Sequence, residues 1–158
     1  MSEVTAYHES GHAFAAVYLG ARVRSITIDP DYADGPGRFG DTQIEWDVSR
    51  FTEEDLCRNA AAVALAGPVA EMIYTGDPWH PALIPEWSSD WNIAWEAAAN
   101  FAAAKRTRLA KLEELSIQFH RLMSQDNIWA AVAALSDELL AHETLESEHV
   151  HDVLAIWL

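Results

Sequence analysis

Hydrophobic positions along this chain recur mostly at helical spacing, and only a short stretch near the N-terminus alternates. Residues 2–19 read as a helix that Ser2 can cap and Gly20 can end in the left-handed conformation. "ARVRSITI" (21–28) alternates and ends β-branched, which predicts a strand. "DPDYADGPGRFGD" (29–41) is dense in Asp, Pro and Gly and predicts a turn or loop. "TQIEWDV" (42–48) alternates again and should pair with the first strand as a hairpin. Thr52 with Asp55 resembles a capping box for a helix over 53–75 that stops at Gly76. Gly67-Pro68 should bend or split that helix. "GDPWHPALIPEWSS" (76–89) contains three prolines and should be irregular, with Ser89 capping a helix from Asp90. Helices are expected over 90–104, 107–124, 127–141 and 147–156. The sum is a mainly α (α+β) fold, one domain over 1–158, with a small β-hairpin after the first helix.

Composition narrows the partners. The chain has 158 residues, half of them hydrophobic, enough to bury the core of one ordinary domain. Its 25 acidic against 10 basic residues give a formal net charge of -15. That argues against nucleic acid and against anionic membrane surfaces, both of which need a basic footprint. The single cysteine, Cys57, makes no internal disulfide and fits a reducing compartment. No run is read as approaching the length of a membrane span, and no signal peptide is visible. The expected setting is cytoplasmic.

The chemistry lies in the first helix. In "HESGHAFAAVYLG" (8–20), His8 and His12 stand four apart and share a helix face. Two imidazoles so placed can bind one Zn²⁺. Glu9 projects beside such a metal, where a carboxylate can take a proton from water and pass it to a leaving amine. The residues around the histidines are small and apolar, so the helix should be buried, and buried imidazoles need partners. A catalytic zinc also needs a third protein ligand and an open fourth position. Glu71, His80, Glu86 and Asp90 are all candidates, and chemistry alone does not choose among them. Glu71 interrupts the apolar helix "AAVALAGPVAEMIY" (61–74), where direct ligation or a hydrogen bond to a ligating histidine would explain it. His149 and His151 are two apart and do not share a helix face, so they form no second metal pair.

The order of these segments resembles the peptidase domain of the FtsH family of ATP-dependent zinc proteases. "HESGHA" stands where that family has its H-E-A-G-H-A helix, and "RSITIDP" matches the strand that follows. "ALAGPVAEMIYTG" matches its A-G-R-A-A-E-E helix, with Pro68 in place of the arginine. "SSDWNIAWEAA" stands where the family has N-D-L-x-x-A, with Ser89-Asp90 for the N-D pair. "LSDELLAHETLESEHVHDVL" matches its C-terminal segment, so the resemblance runs along nearly the whole chain. The segment between the helix after the aspartate and the C-terminal helices is shorter here.

The resemblance implies a helical zincin-like peptidase domain with one Zn²⁺ per chain, held by His8, His12 and Asp90, and with Glu9 as general base and acid. It therefore favours Asp90 as third ligand and leaves Glu71 as a supporting residue. The expected substrate is a flexible or unfolded polypeptide, because no ATPase module is apparent to unfold one. Activity would then be standalone, or would need a homo-oligomer or a separate ATPase partner. The strand at 42–48 is the expected edge for an extended peptide, and Trp79, Trp87 and Trp91 are candidate walls of an apolar substrate pocket. The competing expectation is a module that binds zinc and a peptide or protein partner with little or no turnover. Retention of Glu9 argues against it.

Overall fold

A computed structural model describes residues 2–29, 40–77 and 80–158. Helix α1 (Ser2–Tyr18) leads through a tight turn at Gly20, φ 97°, into strand β1 (Arg22–Thr27). Strand β2 (Asp41–Glu45) is followed by the long helix α2 (Glu53–Thr75). Two 3₁₀ turns, Pro81–Leu83 and Pro85–Trp87, lead into α3 (Ser88–Ala98). Then come α4 (Lys105–Met123), α5 (Asp126–His142), strand β3 (Thr144–Glu146) and α6 (Ser147–Ala155). The architecture is mainly α with a small antiparallel sheet, as the alternation and helical spacing lead one to expect.

Among the described residues the sheet holds three strands rather than a hairpin alone, in the order β2-β1-β3. β1 pairs with β2 from Arg22↔Glu45 to Thr27↔Asp41, and with β3 from Ser25↔Glu146 to Thr27↔Thr144. The β1–β2 register shifts between Val23 and Ser25. Such a bulge changes which face later residues take, and it lets Val23 and Ile26, three apart, both be buried. β3 was not expected, because three residues are too few to show alternation. Its middle residue, Leu145, is buried against the main core.

α2 is the central helix. Thr52 caps it by accepting the Asp55 N–H at 3.1 Å. Glu53, Glu54 and Asp55 in its first turn complement the helix dipole. Gly76, φ 81°, ends it, donating to the Met72 carbonyl. The expected split at Gly67-Pro68 is absent and the helix is continuous. Both residues are buried there, and packing on that scale outweighs the roughly 3 kcal/mol that an interior proline costs. α2 also corrects the reading that no run reaches membrane-span length. Its 23 residues suffice by length and composition, with a mean hydropathy of 1.2 over the most apolar window, but 61% of that window is buried inside the fold.

α1 crosses α2 at close range because each helix offers a glycine. A Cβ on Gly11 would lie 2.5 Å from the Ala66 carbonyl oxygen and 2.6 Å from the Ala70 Cβ. Glycine within a helix costs about 1 kcal/mol in propensity, which the close crossing offsets. The main core gathers Phe14, Val69, Met123, Val132, Leu135, Leu139 and Leu154 around this pair. A smaller cluster of Ala61, Ala64, Leu65, Ala94, Ala98 and Leu112 docks α3 and α4 on the other side of α2.

α3 differs from expectation at both ends, β2 stops at Glu45 and not at 48, and α4 starts two residues early at Lys105. α3 starts at Ser88, not at Asp90, because the Pro85–Trp87 turn runs directly into it; Ser89 lies inside the helix instead of capping it. α3 ends at Ala98, six residues early, where the Asn100 side chain donates to the Ala97 carbonyl and the Arg108 guanidinium takes the carbonyls of Ala102 and Ala103. The Asn100 contact satisfies a carbonyl at the helix end, and the Arg108 contacts satisfy two in the linker to α4.

Candidate metal centre

The helical period sets His8 and His12 one above the other on α1, and α3 brings Asp90 to them from 82 residues away. The His8 Nε2 lies 2.8 Å from Asp90 Oδ2 and 3.1 Å from the His12 Nε2, which is 3.4 Å from Asp90 Oδ1. Donor atoms bound to one zinc at ~2.0–2.1 Å in tetrahedral geometry sit roughly 3.3 Å apart. The three side chains therefore already have the spacing that a single ion requires, and they could hold one.

The other ring nitrogens are fixed from behind. The His12 Nδ1–H donates to the Val63 carbonyl of α2 at 2.7 Å, which leaves the Nε2 lone pair facing Asp90 and His8. The His8 Nδ1–H donates to Glu71 Oε2 at 2.5 Å, and the Trp87 indole N–H donates to the same oxygen at 2.6 Å. Oriented in this way, two imidazoles and a carboxylate suit zinc and related divalent metals. Gly67 makes room for the arrangement: a Cβ there would lie 2.5 Å from the His12 Cε1.

Electrostatics agree with the donor set. Burial on its own would lower the His8 pKa, but its hydrogen bonds to Asp90 and Glu71 raise it well above the usual histidine value. His12 is likewise raised, burial being outweighed by the Asp90 charge and hydrogen bond. Burial would raise Asp90, yet the two imidazoles hold it far below the ordinary carboxylate range. The pocket thus favours positive charge beside a carboxylate, which is what a divalent cation supplies.

Glu9 follows His8 on α1 and is 6% exposed. The Thr42 hydroxyl of β2 donates to its Oε1 at 2.8 Å. Gly40 packs on its other side, where a Cβ would come within 2.8 Å of the Glu9 Cγ. Its negative charge raises the pKa of both His8 and His12, so it stands near the donor atoms without being one of the three.

The remaining candidates divide. Glu71 joins the group through His8. His80 and Glu86 do not belong to the donor cluster. His80 accepts the Ala82 N–H and packs edge-on to Trp91. Trp87 is 5% exposed and its indole is spent on Glu71, so it supports a ligand's partner where a pocket wall was expected. Trp91 stacks on Trp95. Trp79 lies outside the described residues. Sequence reasoning passed over Thr42, Gly40, Gly67 and the Val63 carbonyl, since none carries a chemical signature of its own. The sequence reading also argued against a second metal among His142, His149 and His151, whereas Glu138, His142 and His149 form a second group that could hold one. His151, on a different face of α6 from His149, accepts the Val23 N–H.

Comparison with protein-family models returns no match, and comparison with curated proteins returns none.

Proposed function

We propose that this chain is a zinc-dependent metallopeptidase that hydrolyses peptide bonds in flexible or unfolded polypeptides. The observation that carries the reading is the meeting of the His8 and His12 Nε2 atoms with the Asp90 carboxylate, with Glu9 held beside them. When bound, the metal polarises the scissile carbonyl and brings the pKa of a water down towards ~7. Glu9 accepts that water's proton on its carboxylate and returns it to the leaving amine. Thr42 holds the Glu9 carboxylate in place through Oε1. β2 forms one edge of the sheet, and an extended peptide adding there by backbone hydrogen bonds would run next to Glu9. The resemblance to FtsH peptidase domains supports the same assignment of roles.

A second reading draws on the burial of Glu9. At 6% exposure and bonded to Thr42, it could be a structural carboxylate in a module that holds zinc and a peptide without turnover. One experiment tests the main proposal: elemental analysis of the purified protein and of His12→Ala, beside an assay on an unfolded protein substrate. Zinc in the wild type, its loss from the buried site in the variant, and zinc-dependent cleavage by the wild type alone are the expected results. Zinc without cleavage would favour the binding module.

A further inference from the structure

The donor set of two imidazoles and one carboxylate occurs a second time, at the junction of α5 and α6. Glu138 and His142 are four apart on the last turns of α5 and share a face. His149 faces them from the first turns of α6. The Glu138 Oε2 lies 3.0 Å from the His149 Nε2 and 3.3 Å from the His142 Nε2. The ligand atoms of all three residues lie within 4.8 Å of one another. We propose that Glu138, His142 and His149 form a second metal site, which takes a divalent transition ion such as Zn²⁺, Ni²⁺ or Cu²⁺.

The spacing matches the roughly 3.3 Å expected between two donors on one tetrahedral ion. Imidazole-rich sites select these metals over Mg²⁺ and Ca²⁺, which prefer all-oxygen shells. The two imidazole rings are inclined by 63° at a centroid separation of 5.4 Å, so they do not stack and both edges stay directed at the carboxylate. Half-exposed side chains, 55% for His142 and 39% each for Glu138 and His149, leave a path for the ion and room for water to complete the shell.

The backbone that presents the donors is fixed. Six residues separate His142 from His149, and the chain between them is tied to the core. The Glu143 N–H donates to the Leu139 carbonyl, and the Glu143 carbonyl accepts the Ile28 N–H. Leu145 and Val150 are fully buried on either side. An ion here would pin α6 to α5 across β3, and so hold the strand that pairs with β1. Its side chains are freer than those of the buried site and lose more entropy on ordering. It should therefore bind more weakly and empty first to a chelator.

This inference is independent of the peptidase reading. The test is equilibrium dialysis of the full chain against zinc at neutral pH, followed by elemental analysis, for wild type, His12→Ala, His149→Ala and Glu138→Ala. Wild type should hold two zinc ions per chain, one per donor cluster. His149→Ala and Glu138→Ala should each lose the weaker one, and magnesium should not replace it. Two variants on separate helices guard against one failing to fold, which circular dichroism would show. Equal zinc uptake by wild type and both of these variants would overturn the second site. If His149→Ala and Glu138→Ala lose zinc while His12→Ala loses none, the second site stands and the buried centre fails.

Discussion

The Nδ1–H of His12 donates to the main-chain carbonyl of Val63 at 2.7 Å. A candidate ligand on α1 is thus oriented by the backbone of α2, and no side-chain substitution at position 63 removes that acceptor. What can be changed is the space beside it. Gly67→Ala would drive a Cβ to within 2.5 Å of the His12 Cε1, and a side chain can swing away where a backbone cannot. We expect Gly67→Ala to fold but to lose about 10–100-fold in zinc affinity at the buried site, read by competition with a chromogenic chelator. Wild-type affinity in this variant would show that His12 is not held as described.

Gly11→Ala should fail differently. Its Cβ would meet the Ala66 carbonyl oxygen at 2.5 Å and the Ala70 Cβ at 2.6 Å, neither of which can rotate aside. Overpacking of this kind costs about 1–3 kcal/mol. A lowered denaturation midpoint in the metal-free protein is the expected result, and an unchanged midpoint would contradict so close a crossing.

Glu9→Gln separates catalysis from metal binding. The amide is nearly the same size and can still accept the Thr42 hydroxyl, but it cannot take a proton. Zinc content should be unchanged, and hydrolysis of an unfolded substrate should fall by about 10²–10⁴-fold, the usual contribution of a general base. Thr42→Val should keep zinc as well and cost only part of the rate, because it frees Glu9 without removing it. Equal rates for wild type and Glu9→Gln would rule out the assigned role.

Glu71 is tested through the nitrogen it holds. Glu71→Leu fills the space but leaves the His8 Nδ1–H and the Trp87 indole N–H without their shared acceptor. Zinc affinity should drop by about 10–100-fold, as measured by isothermal titration. Trp87→Phe removes one donor and keeps the His8 contact, so its effect should be smaller. The reverse order of effects would count against the arrangement.

Protons and metal compete for the same nitrogens, which gives the pH dependence a sign. In the metal-free protein the His8 and His12 pKa values are raised, so folding favours their protonated forms. That stabilisation is complete below the unfolded value of about 6.5 and is lost as the pH climbs through the raised folded values. Asp90 is depressed, so its contribution is present above about pH 4 and is lost as the pH falls through its folded value. Bound zinc needs neutral imidazoles and stabilises more as protons leave. The difference in melting temperature between zinc-loaded and chelator-treated protein should widen between about pH 6 and pH 8. A gap that narrows over that range would contradict the shifts described.

Much of this could be read from residues whose neighbours in sequence are also neighbours in space. His8, Glu9 and His12 share one helix, and Thr52 and Gly76 mark the ends of another by local rules. Glu71 was legible as a carboxylate out of place on an apolar helix, but Asp90 was one of four candidates until a family resemblance chose it, since 82 residues separate it from His8. Gly40 and Gly67 had no signal, because a glycine that makes room for a side chain looks like any other glycine. Pro68 misled for the opposite reason: a strong local preference gave way to burial on every side. Glu138 with His142 has the same four-residue spacing as His8 with His12, but its third member lies beyond a strand too short to detect. Trp87 looked like a pocket wall by its position in a proline-rich loop, and only the fold shows its indole turned inward to Glu71.

The separation of the first two candidate ligands from the third bears on how the molecule comes apart. His8 and His12 sit at the main core, whereas Asp90 rides on α3, which is docked through the smaller, alanine-rich cluster. An ion shared between them would join the helix docked through the smaller cluster to the main core and would close a long loop of chain. Stripping the metal should then raise amide hydrogen exchange in α3 well before α1 or α2 responds. Loading the centre would clamp α3 to α1, and emptying it would leave that helix to its alanine packing on α2 and α4.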